Sequence, residues 1–471
     1  MIDTRPPDAP YQTEGARFLS KRYRAALFDE PGVGKTLQAI RARELAGLGR
    51  TLIVCPAGVR KVWPDQWRKW GQTAPRMVRA ESIVDVLQWL RGRVEVLILS
   101  YEQATMWQER LSSDFFDCLI IDESHYLKNV EAQRTMALFG PKSDGTGGIA
   151  AMARHVWMLT GTPIKNDPAD LWVPFRVCGA TTDTFTGFQQ RFFNQRHTTF
   201  STVNKAKKGA AGELKAMMDS IAKLRTLDDI GEHLPPLRLD ELPIDGDDTE
   251  IVAFLKQYPG LSDAILKSLQ EGGRISFEDG THIATLRSLI AEAKAPGYAK
   301  LLASELGGGA ARLDPITMQP RPLEKIVVMG HHRKALTIIA DHLNRAKIKT
   351  EMITGATTER ADDNTVRSFQ EDPNGVRVIV GNIIAAGTGI TLTAASHIDM
   401  FESSWTATDN AQAIARVYRR GQKRPTVARF VMLDNSFDRA VQKIVIRKIG
   451  DASDITQTNT LVKAMIVPSA A

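Results

Sequence analysis

The chain has 471 residues, 43% of them hydrophobic and 24% charged, enough to bury the cores of about three domains and too apolar for a disordered tail or a disulfide-stapled miniprotein. Sixty-one Lys and Arg against fifty-four Asp and Glu leave a net charge of +7, which favours a polyanionic partner. Three cysteines, Cys55, Cys118 and Cys178, lie far apart with no CxxC or Cys/His spacing, which argues against a structural zinc and points to a reducing compartment.

The first residues, MIDTRPPDAP, carry acids and prolines where a secretory signal would have a basic start and an apolar core, so no signal is expected. Short apolar runs at 25–28, 51–55, 96–100, 118–121 and 156–159, separated by amphipathic helix-length stretches, read as buried parallel strands. From about 171 to 306 the pattern is mainly helical with Lys/Arg-bearing faces, and it ends in the Pro/Gly-punctuated hinge LGGGAARLDPITMQPRP. The strand pattern returns at 325–329, 350–353, 377–380, 397–401 and 428–433. The expected fold class is therefore α/β, with two doubly wound parallel-sheet lobes and a helical insertion between them. Its expected bounds are 1–170, 171–322 and 323–450, followed by a tail at 451–471. The run 378–398 has no charged residue and the length of a membrane span, but Asn382, His397 and its glycines and threonines make it read as strand, loop and helix.

Two motifs in the first lobe carry chemistry. DEPGVGKT, Asp29 to Thr36, follows an apolar strand and opens a helix, the setting a phosphate-binding loop requires. Gly32 and Gly34 let the backbone around Val33 turn its N–H groups inward, Lys35 reaches toward β and γ phosphates, and Thr36 offers a hydroxyl to Mg2+. The strict GxxxxGK[ST] pattern fails at Asp29, where a glycine is expected. DESH, Asp122 to His125, places two carboxylates at the carboxyl end of a buried strand, Asp122 suited to Mg2+ and Glu123 to orienting and deprotonating a water. Trp63, Trp67 and Trp70 recur at helical spacing and read as a core-facing helix face. Lys205, Lys207 and Lys208 suit either phosphate contacts or a charged surface loop. Between Arg416 and Lys448, ten basic residues face only Asp434 and Asp438, a surplus larger than that of the whole chain.

Taken together, residues from about 9 to 450 resemble a helicase superfamily-two ATPase of the Swi/Snf type, with RecA-like lobes. PYQTEGARFL supplies Gln12 in the place of the family's adenine-reading glutamine, and the family's phosphate loop itself tolerates the acidic residue that Asp29 represents. VCPAGVRKVWPDQWRKW, with Pro56, and LTGTPIKN, with Thr160 and Thr162, resemble motifs that touch nucleic acid. KIVVMGHHRKALTIIADHL resembles the fourth motif, and GNIIAAGTGITLTAASHIDMFESSWT, with Gly389 and Thr391, resembles the fifth. QAIARVYRRGQ resembles the sixth, placing Gln412 at the nucleotide and Arg416 and Arg419 in the arginine-finger positions, with Ala415 and Tyr418 replacing the usual glycine and histidine. Around Leu224 and Arg225 the family often has two basic residues, and the correspondence there is loose.

The resemblance implies a catalytic set of Lys35, Glu123, Arg416 and Arg419, with ATP and Mg2+ as cofactors. The implied activity is sequence-independent movement along double-stranded DNA. The HH of the fourth motif leans toward the annealing-helicase and fork-remodelling branch, which adds forked or branched DNA to the expected substrates. Two alternatives stand beside it: an ATP-gated clamp that displaces proteins without processive movement, and a strand-separating DNA or RNA helicase. A monomer in the cytoplasm of a bacterial or phage-infected cell, or in the nucleus of a eukaryotic one, recruited by a separate targeting protein and independent of membranes, completes the expectation.

Overall fold

The computed structural model describes residues 8–164, 168–197, 202–231, 234–271, 277–309, 312–313, 320–353, 359–383, 390–405, 407–434 and 436–451. The chain divides into two compact units, 1–195 with 204–232 and 196–203 with 233–471.

The first unit is built on β1 (Arg24–Leu27), β2 (Thr51–Cys55), β3 (Met77–Arg79), β4 (Val96–Ser100), β5 (Phe116–Asp122), β6 (Ala153–Leu159) and the two-residue β7 (Ala222–Lys223), ordered β3-β4-β2-β5-β6-β1-β7. Every neighbouring pair is parallel. The apolar runs are continuous because both faces are covered. Ile53 and Cys55 pack with Trp63, Trp67 and Ile40 on one side, while Leu52 and Val54 pack with Phe139, Tyr101 and Trp89 on the other. Helices α1 (Pro10–Ser20), α2 (Lys35–Leu45) and α3 (Val62–Trp70) supply the first of these faces. Register brings the chemistry together: Leu27 pairs with Leu159 and Leu159 with Asp122, so the phosphate loop, the DESH motif and Thr160 all leave the carboxyl edge of three adjacent strands.

The second unit holds β8 (Leu237–Ile244), β9 (Ile326–Gly330), β10 (Thr350–Ile353), β11 (Val378–Asn382), β12 (His397–Met400) and β13 (Thr426–Leu433), ordered β8-β13-β12-β9-β11-β10 and again wholly parallel. The long helix Phe277–Leu306 lies on this sheet, with Lys294 donating to the Val431 carbonyl at 2.8 Å and the Tyr298 hydroxyl to Asp399 at 2.8 Å. Asp399 is fully buried and gathers Arg312 and Arg429, both of which also pair with Glu305.

One expectation changes. Residues 171–322 do not make a separate helical body: β7 joins the first sheet, and β8 edges the second along eight paired residues. The helices expected there are present, including Ala210–Ile221 and Phe277–Leu306. The uncharged run 378–398 supplies β11 and the start of β12, and its middle, 384–389, where a loop and helix are expected, lies outside the described residues. Among the described residues, no helix is long and apolar enough to cross a membrane.

Candidate functional site

The phosphate loop turns through Gly32 (φ 95°) and Gly34 (φ 93°), left-handed conformations that a side chain resists. At Gly34 a Cβ would also lie 2.8 Å from Gln12 Nε2, so the glycine lets α1 seat Gln12 directly over the loop. Gln12 is buried, and its Oε1 accepts the Ala9 N–H at 3.0 Å, closing the first turn of α1. Buried Val33 donates its N–H to the Glu30 carbonyl at 3.2 Å. Lys35 and Thr36 open α2, and the Lys35 ammonium donates to the Asp29 carbonyl at 2.7 Å and the Glu30 carbonyl at 3.4 Å. Burial lowers the Lys35 pKa, while the charges of Glu123, Asp29, Asp122 and Glu30 work to raise it. Lysine, loop and carboxylate pair therefore share one electrostatic site.

Asp29 does not face the phosphate position. Its carboxylate is fully buried and accepts from Arg225 Nε at 3.0 Å, Arg225 Nη2 at 2.7 Å and Gln38 Nε2 at 3.0 Å. The acidic residue that breaks the strict loop pattern is the anchor of a bidentate ion pair. Glu30 is tied to the same segment: its N–H donates to the Arg225 carbonyl at 2.8 Å and its carboxylate accepts the Leu227 N–H at 2.8 Å.

Asp122 ends β5 with one oxygen accepting the Glu123 N–H at 3.0 Å and the other the Trp63 indole N–H at 3.1 Å. Burial first and the Glu123 charge second push its pKa up to about 7, against the pull of Lys35 and Trp63. Glu123 adopts a left-handed conformation (φ 54°, ψ 48°), a strain of order 1 kcal/mol that recurs at functional turns. The Tyr101 hydroxyl fastens this corner by donating to the carbonyls of Asp122 at 2.7 Å and Glu123 at 3.2 Å. His125 Nδ1 lies 3.2 Å from Glu123 Oε2, 3.0 Å from the Thr160 hydroxyl and 3.3 Å from the Thr162 hydroxyl.

Lys35, Thr36, Gly32, Val33, Gly34, Gln12, Asp122 and Glu123 thus lie together in the first unit. Thr160 and Thr162 are 1% and 7% exposed, and Pro56 is also buried. Expected as nucleic-acid contacts, these three are buried here: the threonine hydroxyls face His125 Nδ1, and the Pro56 carbonyl accepts the Val59 N–H at 2.9 Å. In the second unit, Arg416 Nη1 and Arg419 Nη1 reach the same carbonyl, that of Ile390, at 3.4 and 3.3 Å, and the Arg416 carbonyl accepts the Leu392 N–H. They follow the helix Ala407–Ile414 in a turn, so they are not the face of a continuous helix. Half-buried Gln412 lends its carbonyl to Arg416 Nε at 3.1 Å, Thr391 is half-buried beside this turn, and Gly389 lies outside the described residues.

Spacing alone did not assign Trp63 or Arg225 to the site. Trp63 was expected in the core and is there, but its N–H also holds Asp122. The donor set suits a nucleoside triphosphate with a hard divalent cation. Backbone N–H groups at Gly32, Gly34 and the start of α2 match phosphate, the Thr36 hydroxyl and Asp122 carboxylate match Mg2+, and the buried Asp122/Glu123 repulsion is of the kind a cation relieves.

Comparison with known proteins agrees with this geometry. A family profile described as SNF2-related domain matches residues 11–279, and one described as helicase conserved C-terminal domain matches 311–421. A SWI/SNF-related matrix-associated actin-dependent regulator of chromatin subfamily A-like protein 1 homolog of Caenorhabditis elegans is 28% identical over 446 residues, 93% of this chain and 60% of that protein. The human DNA annealing helicase and endonuclease ZRANB3 is 27% identical over 93% of this chain and 39% of its own length, and the human DNA repair and recombination protein RAD54B 24% over 96% and 55%. The chain thus spans about half the length of these relatives. A Sulfolobus solfataricus SWI2/SNF2 ATPase core solved in complex with dsDNA aligns over 99% of this chain and 98% of its own, with 19% identity and a TM-score of 0.43.

Proposed function

The chain belongs to the SNF2-related family of helicase superfamily two, and from that membership we propose that it is a DNA-dependent ATPase that converts hydrolysis of ATP into movement along duplex DNA. The observation that carries the reading is the meeting of Lys35, on its phosphate loop, with Asp122 and Glu123 at one sheet edge.

In this mechanism Gln12 reads the adenine, and the loop N–H groups with Lys35 hold the phosphates. The lysine leaves the Asp29 and Glu30 carbonyls to do so. Thr36 and Asp122 would hold Mg2+, which supplies charge neutralisation on the β and γ phosphates. Glu123 orients the attacking water and accepts its proton, with His125 Nδ1 3.2 Å from its carboxylate. His125 also binds Thr160 and Thr162, so a change at Glu123 reaches the loop after β6 directly. Arg416 and Arg419 stabilise charge on the transferring phosphoryl group. Duplex DNA is gripped by its backbone, without base readout, so affinity falls steeply as salt rises. Forked or branched DNA as the preferred form is suggested by the relatives named as annealing helicases.

The test is steady-state ATP hydrolysis by the purified chain with duplex DNA, single strands or RNA, followed by displacement of a triplex-forming strand. Strong stimulation by duplex and ATP-dependent triplex displacement are expected. Stimulation without displacement would point to a non-processive clamp, and stimulation by RNA or single strands to a strand-separating helicase. Lys35→Ala is expected to abolish turnover in a folded protein, and Glu123→Gln to bind ATP while hydrolysing it at least about a hundredfold more slowly. Normal turnover in either variant would remove that residue from its role.

A further inference from the structure

One guanidinium joins three pieces of the first unit. Arg225 Nε and Nη2 hold both carboxylate oxygens of Asp29 on the phosphate loop, at 3.0 and 2.7 Å, and Nη2 also donates to Gln38 Oε1 on α2 at 2.7 Å. Nη1 donates to the Tyr11 carbonyl on α1 at 2.5 Å, with Glu14 at 3.5 Å. Gln38 is fully buried and closes the triangle by donating to Asp29. No slack surrounds the group: a Cβ on Gly15 of α1 would fall 1.7 Å from Gln38 Oε1 and 2.7 Å from Arg225 Nη2. Tyr11 immediately precedes Gln12, whose amide lies over Gly34.

From this geometry we infer that Arg225 is a positioning residue for nucleotide selection, fixing the spacing between the phosphate loop and the base-reading Gln12. The inference rests on the reading of this loop as an ATP site. Its physical basis is that a planar guanidinium forked onto a carboxylate fixes direction as well as distance. A buried pair of this kind adds little net stability because desolvation offsets attraction, and its effect lies in specifying geometry. A triphosphate seated on a loop held at one height along α1 presents its base at one position, where the Gln12 amide distinguishes an adenine edge from a guanine edge. With the fork broken, the loop and α1 slide relative to each other and the base contact loses its register, while the phosphate contacts remain.

The experiment uses the full chain with Arg225→Lys, Asp29→Asn, the double variant, and Asp29→Gly, which completes the strict phosphate-loop consensus. Duplex-stimulated kcat and KM are measured separately for ATP and GTP, with thermal melting alongside. In each variant KM for ATP should rise about tenfold and by more than kcat falls, and the ATP-over-GTP preference in kcat/KM should drop about tenfold, the scale of one charged hydrogen bond. The double variant should be no worse than either single one, because both break the same contact. Asp29→Gly should lose selectivity although it matches the consensus better. An unchanged ATP-over-GTP preference, with or without a lower melting temperature, would reduce the fork to packing and overturn the inference; so would equal losses with both nucleotides. Should Arg225→Lys not fold, the isosteric Asp29→Asn carries the same readout. A parent chain that hydrolyses neither nucleotide overturns the underlying reading, and that result precedes any comparison of variants.

Discussion

Trp63 shows at the scale of one side chain what spacing can and cannot reveal. Its place in a helical series with Trp67 identifies a core face, and both residues are fully buried. The same periodicity is silent on the indole N–H, which finds Asp122 59 positions away. Lys35, Thr36, Asp122 and Glu123 were legible because each sits in a short local pattern, a glycine turn before a helix or an acidic pair after a strand. Arg225 was not, because its partners lie 187 to 214 residues away and local spacing carries no information at that range. The pairing of Thr160 and Thr162 with His125 is hidden for the same reason, since His125 belongs to another strand's loop. Trp63→Phe keeps most of the apolar volume and removes one donor from Asp122. Loss of a hydrogen bond to a buried carboxylate should raise the Mg2+ concentration for half-maximal ATPase activity about tenfold. A Mg2+ titration that superimposes on the parent's would contradict that support.

Strands were the most legible elements, since a sheet covered on both faces demands unbroken apolar runs. Three of the strands missed are ones where that demand is relaxed. Met77–Arg79 is three half-buried residues, Ala222–Lys223 is two residues long, and Leu237–Ile244 is an edge strand whose Arg238, Asp240, Glu241 and Pro243 suit a sheet margin. The helix Arg333–Arg345 illustrates capping that only the fold reveals. Its first turn is held by Glu402, the residue before Ser403 and Ser404, whose carboxylate accepts the N–H groups of His331 and His332 at 2.8 Å each and meets His332 Nδ1 at 2.5 Å. These bonds, led by that to the His332 ring, outweigh burial and lower the Glu402 pKa from 4.5 to about 2. A carboxyl depressed on folding stabilises the native state above its unfolded pKa and loses that contribution as pH falls through the folded value. Denaturant unfolding from pH 5 down to 2 should therefore show the parent losing about 3 kcal/mol more than Glu402→Gln. Parallel pH profiles would show that the carboxylate does not hold this helix end.

At the scale of the whole chain, the α/β pattern and the return of strands after residue 320 report two lobes correctly, while the stretch between them reads mainly as helical protrusions and a linker. Its charged helix faces concealed that β7 and β8 complete one sheet each. The basic surplus of 416–448 is likewise redistributed by folding. Arg429 is absorbed by Asp399 and Glu305, Arg424 pairs with Glu324, and Arg439 with Asp434. Net charge therefore overstates the surface offered to a phosphate backbone. The central claim is that arginines near residue 420 act on the ATP that Lys35 holds, almost four hundred positions earlier. Single-turnover hydrolysis of bound ATP by Arg419→Ala at saturating duplex DNA tests it most directly. Nucleotide affinity within about threefold of the parent and a hydrolysis rate lowered about a thousandfold are expected. Hydrolysis at the parent's rate would contradict the account.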